Sequence, residues 1–329
     1  MTDALTALAR RVAAGEKGAV ARALDTVEDR RVASRASIAA LLAELARASG
    51  QDGQRIGITG PPGAGKSTLV AAIARALRAS GRSVGVLAVD PTSVRSGGAL
   101  LGDRARMGFD PLDAGLFVRS AATGGDAGGL TFAAHAIVAV LATAYDVVLI
   151  ETTGVGQSET DIERIADTVV LVVQPGSGDT LQFLKAGVME IPDVLVVNKA
   201  DEDALARRAA GDLRSALSSL SSAGVVSMRE VPVLLTSARD RTGIDALVAA
   251  VDAHHLALGA DGLALRRTRG AVASAVALFV RRHGEHGVEQ LGGLDALRAL
   301  AARHVHVGLP HVAVAVLLGE SLLGESQRA

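Results

Sequence analysis

A glycine-rich stretch, GPPGAGKST at residues 60 to 68, carries the strongest chemical signal in the sequence. It directly follows the β-rich run RIGIT and directly precedes the helical pattern LVAAIARALRAS, which is the context that a phosphate-binding loop requires. Small residues let backbone amides wrap a phosphate at the start of a helix, while Lys66 supplies a positive charge and Ser67 a hydroxyl for Mg²⁺. The predicted phosphate site consists of Gly60, Pro61, Pro62, Gly63, Ala64, Gly65, Lys66, Ser67 and Thr68.

A second motif, LVVNKAD at residues 195 to 201, indicates which base the site binds. The carboxylate of Asp201 can accept two N–H bonds from the edge of guanine, whereas adenine has no matching pair of donors and would leave the charge unpaired. The alternative is an ordinary polar turn between a strand and a helix. The phosphate loop and a later TSA motif at residues 236 to 238 favour the base site, and therefore GTP over ATP. The predicted base-site residues are Asn198, Lys199, Asp201, Ser237, Ala238 and Arg239.

Three acidic residues are candidates for completing a magnesium site. Asp90 ends the run VGVLAV, Glu151 ends DVVLI, and Asp103 lies in GGALLGDRARM. Mg²⁺ prefers near-octahedral oxygen ligation and often keeps waters that carboxylates hold in place. A lone acid at the end of a strand is otherwise a helix cap or a solvated charge. The adjacent phosphate loop favours the metal role for Asp90 and Glu151, and for Asp103 the two alternatives are evenly balanced. With Ser67 these acids form the predicted metal set.

Composition and charge limit the classes of function. The chain has 329 residues, enough for one large α/β domain with additions, and 49% of them are apolar while only 2% are aromatic. A net charge of −1 gives no reason to expect binding to nucleic acid or to an anionic membrane. The absence of Cys excludes disulfides, thiolate zinc sites and a thiol nucleophile. Because we find neither a secretory signal nor an apolar run of about 20 residues, we expect a cytoplasmic protein.

The arrangement of elements along the chain predicts the fold class. Residues 1 to 50 show helical spacing and form a predicted N-terminal helical extension. From 51 to 255, β-rich runs that are apolar on both faces alternate with helical patterns, which is typical of parallel strands with helices on both sides of the sheet. Residues 256 to 329 return to helical periodicity. We therefore predict an α/β nucleoside triphosphatase fold with a mostly parallel central sheet and helical extensions at both ends. The predicted strands are RIGIT, VGVLAV, LFVR, DVVLIE, TVVLVV, DVLVVN and PVLLT.

Four longer segments resemble one family. The segments LAVDPTSVRSGGALLGDRARM, VVLIETTGVGQSET, QPGSGDTLQFLKAGVMEIPD and VVNKAD, in this order and spacing, resemble the MeaB/ArgK group of P-loop GTPases. Members of that group are chaperones of adenosylcobalamin-dependent acyl-CoA mutases such as methylmalonyl-CoA mutase. The resemblance covers nearly the whole chain. It implies a homodimeric GTPase that dimerises through its C-terminal helices, protects the mutase, and gates the loading and repair of its cobalamin. It also implies an adenosyltransferase as a further partner.

The same resemblance assigns roles to individual residues. It places Ser67 on Mg²⁺, with Asp90, Asp103 and Glu151 around the ion, in agreement with the interpretation from the residues alone. It also implies that the segment GSGDTLQFLKAG at residues 176 to 187 responds to the partner protein. Asp179 and Lys185 would then contact the nucleotide site, and a lysine that reaches a phosphate would add charge in the transition state. The alternative is that Asp179 caps the following helix and Lys185 is solvated on it.

The segment ETTGVGQSE, which begins at Glu151, has an unusual form for a hydrolase. Glu151 is suited to holding Mg²⁺ through water, and the amide of Gly154 can meet the γ-phosphate. Val155 cannot orient an attacking water, so we expect slow hydrolysis by the protein alone and stimulation by a partner. Gln157 either reaches the site after a rearrangement of the segment or only anchors it. The predicted catalytic residues are Lys66, Asp90, Glu151, Gly154, Gln157, Asp179 and Lys185.

Two other functions use similar loops. A metallochaperone GTPase for nickel-enzyme maturation would bind its metal through His and Cys, but the chain has no Cys and no dense His tract. We interpret the pairs His254 with His255 and His283 with His286 as core or surface residues. A small-molecule kinase would not need the guanine motif. The mutase-chaperone GTPase is therefore the favoured hypothesis.

Overall fold

The computed structural model describes residues 2–29, 31–48, 50, 52–90, 108–110, 112–122, 132–152, 161–176, 192–201, 203–222 and 231–306. The chain divides into two compact units. We call Gln54–Thr131 with Tyr145–Gly259 the sheet unit, and Met1–Gly53 with Phe132–Ala144 and Ala260–Ala329 the helical unit. Neither unit is continuous in sequence, because Phe132–Ala144 groups with the chain ends. The three predicted zones, 1 to 50, 51 to 255 and 256 to 329, stay a prediction of the domain organisation.

The described part of the sheet unit forms a seven-stranded sheet with the order β3-β2-β4-β1-β5-β6-β7, in which all neighbours are parallel. Each of the seven β-rich runs of the sequence is one of these strands, so the fold prediction is confirmed. The central strands are buried on both faces, which explains why their sequences are continuously apolar rather than alternating. The strands are β1 Gln54–Thr59, β2 Val84–Asp90, β3 Leu116–Ala122, β4 Val147–Glu151, β5 Thr168–Val173, β6 Val194–Val197 and β7 Val233–Leu235.

Helices cover the sheet with apolar faces. Helix α4, Lys66–Ala79, packs its buried Leu69, Val70, Ile73 and Leu77 into the main core cluster together with residues of the strands. Helix α6, Asp203–Ser222, buries residues at a spacing of four and three, which is the period of one helix face. They pack against β5 and β6 and are Ala206, Ala210 and Leu213. Helix α7, Ile244–Gln290, follows β7, and its residues up to Gly259 belong to the sheet unit.

The helical unit is built from helix-on-helix packing. Helices α1 Thr2–Ala13, α2 Lys17–Val27 and α3 Arg35–Ala48 contact one another and α5 Phe132–Ala144. Towards the C-terminus, Phe279 of α7 packs with Leu297 and Ala301 of α8, Leu294–His306, in a separate apolar cluster. The predicted helical character of both chain ends is confirmed for these elements. Among the described residues, no helix is long and apolar enough to cross a membrane.

Polar side chains join α7 to the amino ends of the strands. His254 of α7 is 4% exposed, and its Nδ1 lies 2.7 Å from the hydroxyl of Thr168, the first residue of β5. Its Nε2 lies 3.1 Å from Oδ1 of Asp193, just before β6, and Oδ2 of Asp193 accepts a hydrogen bond from the amide of Val169. All four residues therefore lie at the amino edge of the sheet, where the ring of His254 contacts Thr168 and Asp193, and Asp193 accepts a hydrogen bond from the strand backbone.

Arg82 and Asp146 make two further links at this edge. Arg82 donates to both carboxylate oxygens of Asp252 and to Oε1 of Gln54. Oδ2 of Asp146 accepts hydrogen bonds of 2.7 Å from both the amide and the hydroxyl of Ser83. Partial burial alone would raise the pKa of Asp146, but the Ser83 hydrogen bonds and the charges of nearby arginines outweigh burial and lower this pKa below its ordinary value.

Tyr145 precedes this aspartate in the sequence. Its ring is 1% exposed and stacks on that of Phe117 with a centroid distance of 6.2 Å. Because burial disfavours the phenolate, it raises the pKa of the Tyr145 phenol above its ordinary range.

Candidate functional site

The candidate site begins at the loop between β1 and α4, where glycines are required by the backbone. Gly60, Gly63 and Gly65 have φ angles of +138°, +82° and +85°, a region that residues with a Cβ rarely adopt. A Cβ atom on Gly60 would lie 2.0 Å from the carbonyl oxygen of Val172 in β5. At Gly65 a Cβ would lie 2.6 Å from Nδ2 of Asn198. The loop is therefore packed directly against neighbouring parts of the site.

Lys66 begins α4, and its ammonium group turns back over this loop. Its Nζ donates to the carbonyl oxygens of Gly60, at 2.7 Å, and Pro61, at 3.0 Å, and the residue is only 6% exposed. Phosphate oxygens are charged and form stronger hydrogen bonds with an ammonium group than neutral carbonyls do. The arrangement thus places a buried positive charge at the start of a helix, where backbone amides also favour an anion.

Two oxygen-bearing side chains of the predicted metal set are in contact. The hydroxyl of Ser67 donates to Oε1 of Glu151 at 2.5 Å, and Glu151 is 8% exposed at the end of β4. A hydroxyl and a carboxylate are the hard oxygen donors that Mg²⁺ prefers, so these residues fit that ion. Asp90 ends β2, two residues beyond Ala88, which pairs with Glu151. The backbone of Asp90 is therefore at the same edge of the sheet as Glu151.

A pair of threonines lies behind this contact and was not predicted from the sequence. Thr152 donates its hydroxyl to that of Thr59 at 2.9 Å, and its amide donates to the carbonyl oxygen of Ile58. Both threonines are buried, with exposures of 0% and 2%. Thr152 directly follows Glu151, and Thr59 directly precedes Gly60. The bond between them therefore ties the end of β4 to the start of the phosphate loop. Their position beside two recognised motifs was the signal that could have revealed them.

Two loops form the predicted base site, and we call them the base loop (NKAD, residues 198 to 201) and the TSA loop (residues 236 to 238). Asn198 of the base loop connects the phosphate loop with the TSA loop. Its Nδ2 donates to the carbonyl oxygen of Ala64 at 2.9 Å, and its Oδ1 accepts from the hydroxyl of Thr236 and from the amide of Ala238. Asn198 is 1% exposed, so its amide group is used for these internal bonds. One side chain thereby sets the distance between the phosphate loop and the base loops.

Asp201 is exposed in the base loop. The hydroxyl of Ser237 lies within hydrogen-bond distance of Oδ1 of Asp201, at 3.2 Å, and of Oδ2 of Asp240, at 3.1 Å. A hydroxyl has one proton and can donate to only one carboxylate at a time. Asp201 is therefore oriented by its neighbour and remains accessible to a ligand. Arg239, also predicted for the base site, is exposed in the loop after β7.

Lys199, in the loop after β6, has an uncommon backbone conformation. Its φ is +61°, and its Nζ donates to Oε1 of Gln174 at 2.7 Å. Gln174 directly follows β5, and the sequence reasoning did not single it out. No motif pointed to it, because its contact with Lys199 depends on the pairing of β5 with β6.

Five predicted site residues lie outside the described residues, and their roles stay predictions. They are Asp103, Gly154, Gln157, Asp179 and Lys185.

The histidines that were weighed as metal ligands lie elsewhere. His254 is at the amino edge of the sheet, and in the helical unit the ring of His283 packs on that of Phe279 at 4.6 Å. Nε2 of His286 lies 3.3 Å from Nε2 of Gln290. Within the part of the chain that the structure describes, no group of three or more His, Cys, Asp or Glu side chains is placed to hold a metal ion.

With this geometry established, similarity to known proteins decides the family. The model of one family, described as methylmalonyl Co-A mutase-associated GTPase MeaB, matches residues 20–289. The chain belongs to the MeaB family. The resemblance identified in the sequence motifs is thereby confirmed, and membership of the MeaB family makes this chain a relative of proteins named as GTPases.

Three relatives of this MeaB-family chain illustrate the range of similarity. A putative GTPase of Caulobacter vibrioides is 42% identical over 260 residues, which cover 78% of this chain and 79% of the relative. The methylmalonic aciduria type A homolog, mitochondrial, of Mus musculus is 44% identical over 166 residues, which cover 50% of this chain and 40% of the mouse protein. The crystal structure of LAO/AO transport system kinase superposes with a TM-score of 0.64 at 30% identity, covering 86% of this chain and 83% of that one.

Proposed function

We propose that this MeaB-family protein binds and hydrolyses GTP with Mg²⁺, slowly by itself, and acts as a chaperone of an adenosylcobalamin-dependent acyl-CoA mutase of the methylmalonyl-CoA mutase type. The observation that carries the nucleotide part is Asn198, which bonds to the phosphate loop through Ala64 and to the TSA loop through Thr236 and Ala238. A single ligand with a phosphate end and a guanine end suits two loops that are held at a fixed separation.

The phosphate end is suited to binding the triphosphate. Lys66 exchanges its two carbonyl partners for phosphate oxygens and stabilises the negative charge that develops during transfer. Ser67, Glu151 and Asp90 are the proposed holders of Mg²⁺, which supplies charge stabilisation at the phosphate oxygens when it is bound. Thr59 and Thr152 keep Glu151 in place relative to the loop. Val155 offers no group that orients water, which supports slow hydrolysis in the absence of a partner.

The base end is suited to guanine. Asp201 presents a carboxylate that accepts the two N–H groups of the guanine edge, and the Ser237 hydroxyl limits its rotation. The side chain of Arg239 lies on the same loop and is proposed to close over the base, whereas the amide of Ala238, also predicted for the base site, donates to Oδ1 of Asn198. Adenine would leave the carboxylate without donors, so GTP is preferred.

The chaperone part of the proposal rests on the family. The MeaB family is described as associated with methylmalonyl-CoA mutase, and the mouse relative bears the name of methylmalonic aciduria. We propose that the GTPase protects the mutase and gates the loading and repair of its adenosylcobalamin, with the adenosyltransferase as a further partner. We also propose that the protein is a homodimer through the helices of residues 256 to 329. Sedimentation at several concentrations measures this state, and a monomer at all of them would contradict the dimer.

A change of base preference tests the guanine site. Asp201→Asn converts an acceptor pair into one acceptor and one donor, which matches xanthine better than guanine. We expect GTP binding to weaken by about 10²-fold and XTP binding to become stronger than GTP binding. The matched control is Asp240→Asn, which removes the other carboxylate beside Ser237 and should keep the guanine preference. Unchanged GTP selectivity in Asp201→Asn would refute the assigned role of Asp201.

GTP turnover with and without candidate mutases tests the chaperone role. We expect complex formation and a higher rate of GTP hydrolysis with an adenosylcobalamin-dependent acyl-CoA mutase. Copurification from the native cell, followed by mass spectrometry, identifies the partner independently. If no such mutase forms a complex or changes the rate, the chaperone part fails while GTP hydrolysis by the protein alone still stands.

A further inference from the structure

Gln174 contacts Lys199 of the NKAD motif, although Gln174 belongs to none of the predicted nucleotide-binding motifs. It is the first residue after β5, and Lys199 is the second residue after the neighbouring strand β6. The register pairs Val173 with Val197, and the amide of Asn198 donates to the carbonyl oxygen of Val173 at 2.9 Å. The backbone therefore brings Gln174 beside the base loop independently of its own side chain.

Lys199 is held in a strained conformation at this point. Its positive φ costs a residue with a Cβ on the order of 1 kcal/mol. The residues on either side are fixed, because the amide of Asn198 bonds to β5 and the amide of Ala200 donates to the carbonyl oxygen of Thr236 at 3.0 Å. The direction in which the Lys199 side chain leaves the backbone is thus set by the fold.

The side chain of Lys199 passes close to Gly65 of the phosphate loop. Its Cε lies 3.9 Å from the position that a Cβ on Gly65 would occupy, and its Nζ ends 2.7 Å from Oε1 of Gln174. We therefore expect a nucleotide that reaches from Lys66 to Asp201 to lie against this stem. An alkyl chain with a terminal cation is a favourable neighbour for the face of an aromatic base.

We infer that Gln174 is a positioning residue for guanine-nucleotide binding, which holds the Lys199 ammonium group so that the lysine stem stays extended against the face of the base. The inference rests on the proposed function, because it assumes that the site binds a guanine nucleotide. The Gln174–Lys199 bond lies at the exposed surface, where a charge-assisted contact contributes little to folding. Its effect should therefore be found in nucleotide dissociation and not in thermal stability.

The experiment measures dissociation of fluorescent GDP and IDP from the full chain and its variants. Gln174→Leu keeps the size of the side chain but removes the acceptor, so we expect both nucleotides to dissociate about three- to fivefold faster. Gln174→Glu keeps an acceptor and adds a charge, and should dissociate at the wild-type rate or more slowly. Equal effects on GDP and IDP exclude an action through the base edge that Asp201 is proposed to bind, because the two bases differ only at that edge.

A double-mutant cycle separates positioning from general damage. Lys199→Met keeps an apolar stem without the ammonium group, so Gln174→Leu should have no further effect in that background. Gln290→Leu, the same substitution at an exposed position of α7 in the helical unit, is the matched control and should leave dissociation unchanged. The melting temperature of the nucleotide-free protein should be the same for Gln174→Leu and wild type.

The possible failures are distinguishable. If wild-type protein binds no guanine nucleotide, the proposed function fails and the inference with it. If wild type binds GDP and Gln174→Leu releases it at the same rate, the inference is overturned and the proposed function stands. An equal acceleration by Gln174→Leu with and without Lys199 would also overturn it, because the effect would not pass through that lysine.

Discussion

The two edges of the parallel sheet carry similar polar residues with different surroundings. At the carboxyl edge, Lys66 and Ser67 bond to carbonyl groups and to Glu151, partners that phosphate and Mg²⁺ can replace. At the amino edge, His254 lies between Thr168 and Asp193, and Asp193 also accepts a strand amide. Ligands of open α/β sheets bind at the carboxyl edge, where loops and helix starts converge. The comparison teaches that the partners of a polar residue, and not its type, distinguish a binding group from a structural one.

Two glycines at the carboxyl edge allow its loops to pack closely against the strands. At the carboxyl edge, Gly60 has no room for a Cβ beside Val172, and Gly243 has none beside Leu235, where the distance to the carbonyl oxygen would be 2.1 Å. Both glycines have positive φ angles, so each loop turns back closely against a strand. The loops that follow these strands are therefore shaped by close backbone packing.

The largest expected effect comes from Lys66→Met at the carboxyl edge. Removing the ammonium group should lower kcat/KM for GTP by about 10³-fold, because charge stabilisation of the transferring phosphate is lost. The melting temperature should fall modestly, because the buried carbonyl oxygens of Gly60 and Pro61 lose their donor. Steady-state kinetics and thermal unfolding of the same preparation measure both quantities.

Arg82→Met is the matched variant at the amino edge. It breaks the bonds to Asp252 and Gln54, so it should lower the free energy of unfolding while kcat/KM stays at the wild-type value. A loss of hydrolysis without a loss of stability in Arg82→Met would contradict the division between the two edges.

A smaller effect is expected when one threonine at each edge is replaced by valine. Thr168→Val removes the hydroxyl that meets His254 and should lower the free energy of unfolding by about 1 to 2 kcal/mol without changing kcat. Thr152→Val removes the hydroxyl that meets Thr59 and should lower kcat by about tenfold, because Glu151 loses its fixed position. Urea unfolding and GTP turnover, measured on both variants, give the two numbers. Equal effects of the two substitutions on kcat would show that this comparison is wrong.

The smallest effect concerns the pH dependence of stability through Asp146. Because the folded-state pKa of Asp146 is lowered, its contribution is present above the unfolded-state pKa of about 4 and is lost as the pH falls through the folded value. Ser83→Ala removes one of the donors and should cost about 1 kcal/mol at pH 7. The difference in free energy of unfolding between wild type and Ser83→Ala should shrink below pH 4. A difference that stays constant from pH 7 to pH 3 would assign it to packing instead.

Much of this architecture was predictable from local sequence. The run RIGIT followed by GPPGAGKST predicted a strand, a loop and a helix because each residue type there is required by its own backbone and by its immediate neighbours. The seven strands were predictable because strands buried on both faces have continuous apolar sequences. Asn198 and Asp201 were predictable as members of a motif, although the bond from Asn198 to Ala64 was not.

The remainder depends on contacts between residues that are distant in sequence. The contact of Gln174 with Lys199 could not be predicted from local sequence, because it depends on the pairing of β5 with β6. His254 is one of several histidines in helical sequence, and its burial depends on which face of α7 meets the sheet. The grouping of Phe132–Ala144 with the chain ends likewise could not be predicted from its sequence. An apolar helix has the same sequence pattern whichever surface it packs against.

The stacked ring of Tyr145 has a practical consequence for spectroscopy. The chain contains one Tyr and no Trp, so intrinsic tyrosine fluorescence comes from a single site in the sheet unit. Unfolding followed by this emission reports on the sheet unit, whereas far-ultraviolet circular dichroism is weighted towards the helices. If the two signals give different midpoints in one titration, the protein does not unfold in a single two-state transition. The near absence of aromatic absorption also means that a copurified guanine nucleotide would dominate the ultraviolet spectrum of the native protein, so the spectrum itself can reveal the ligand.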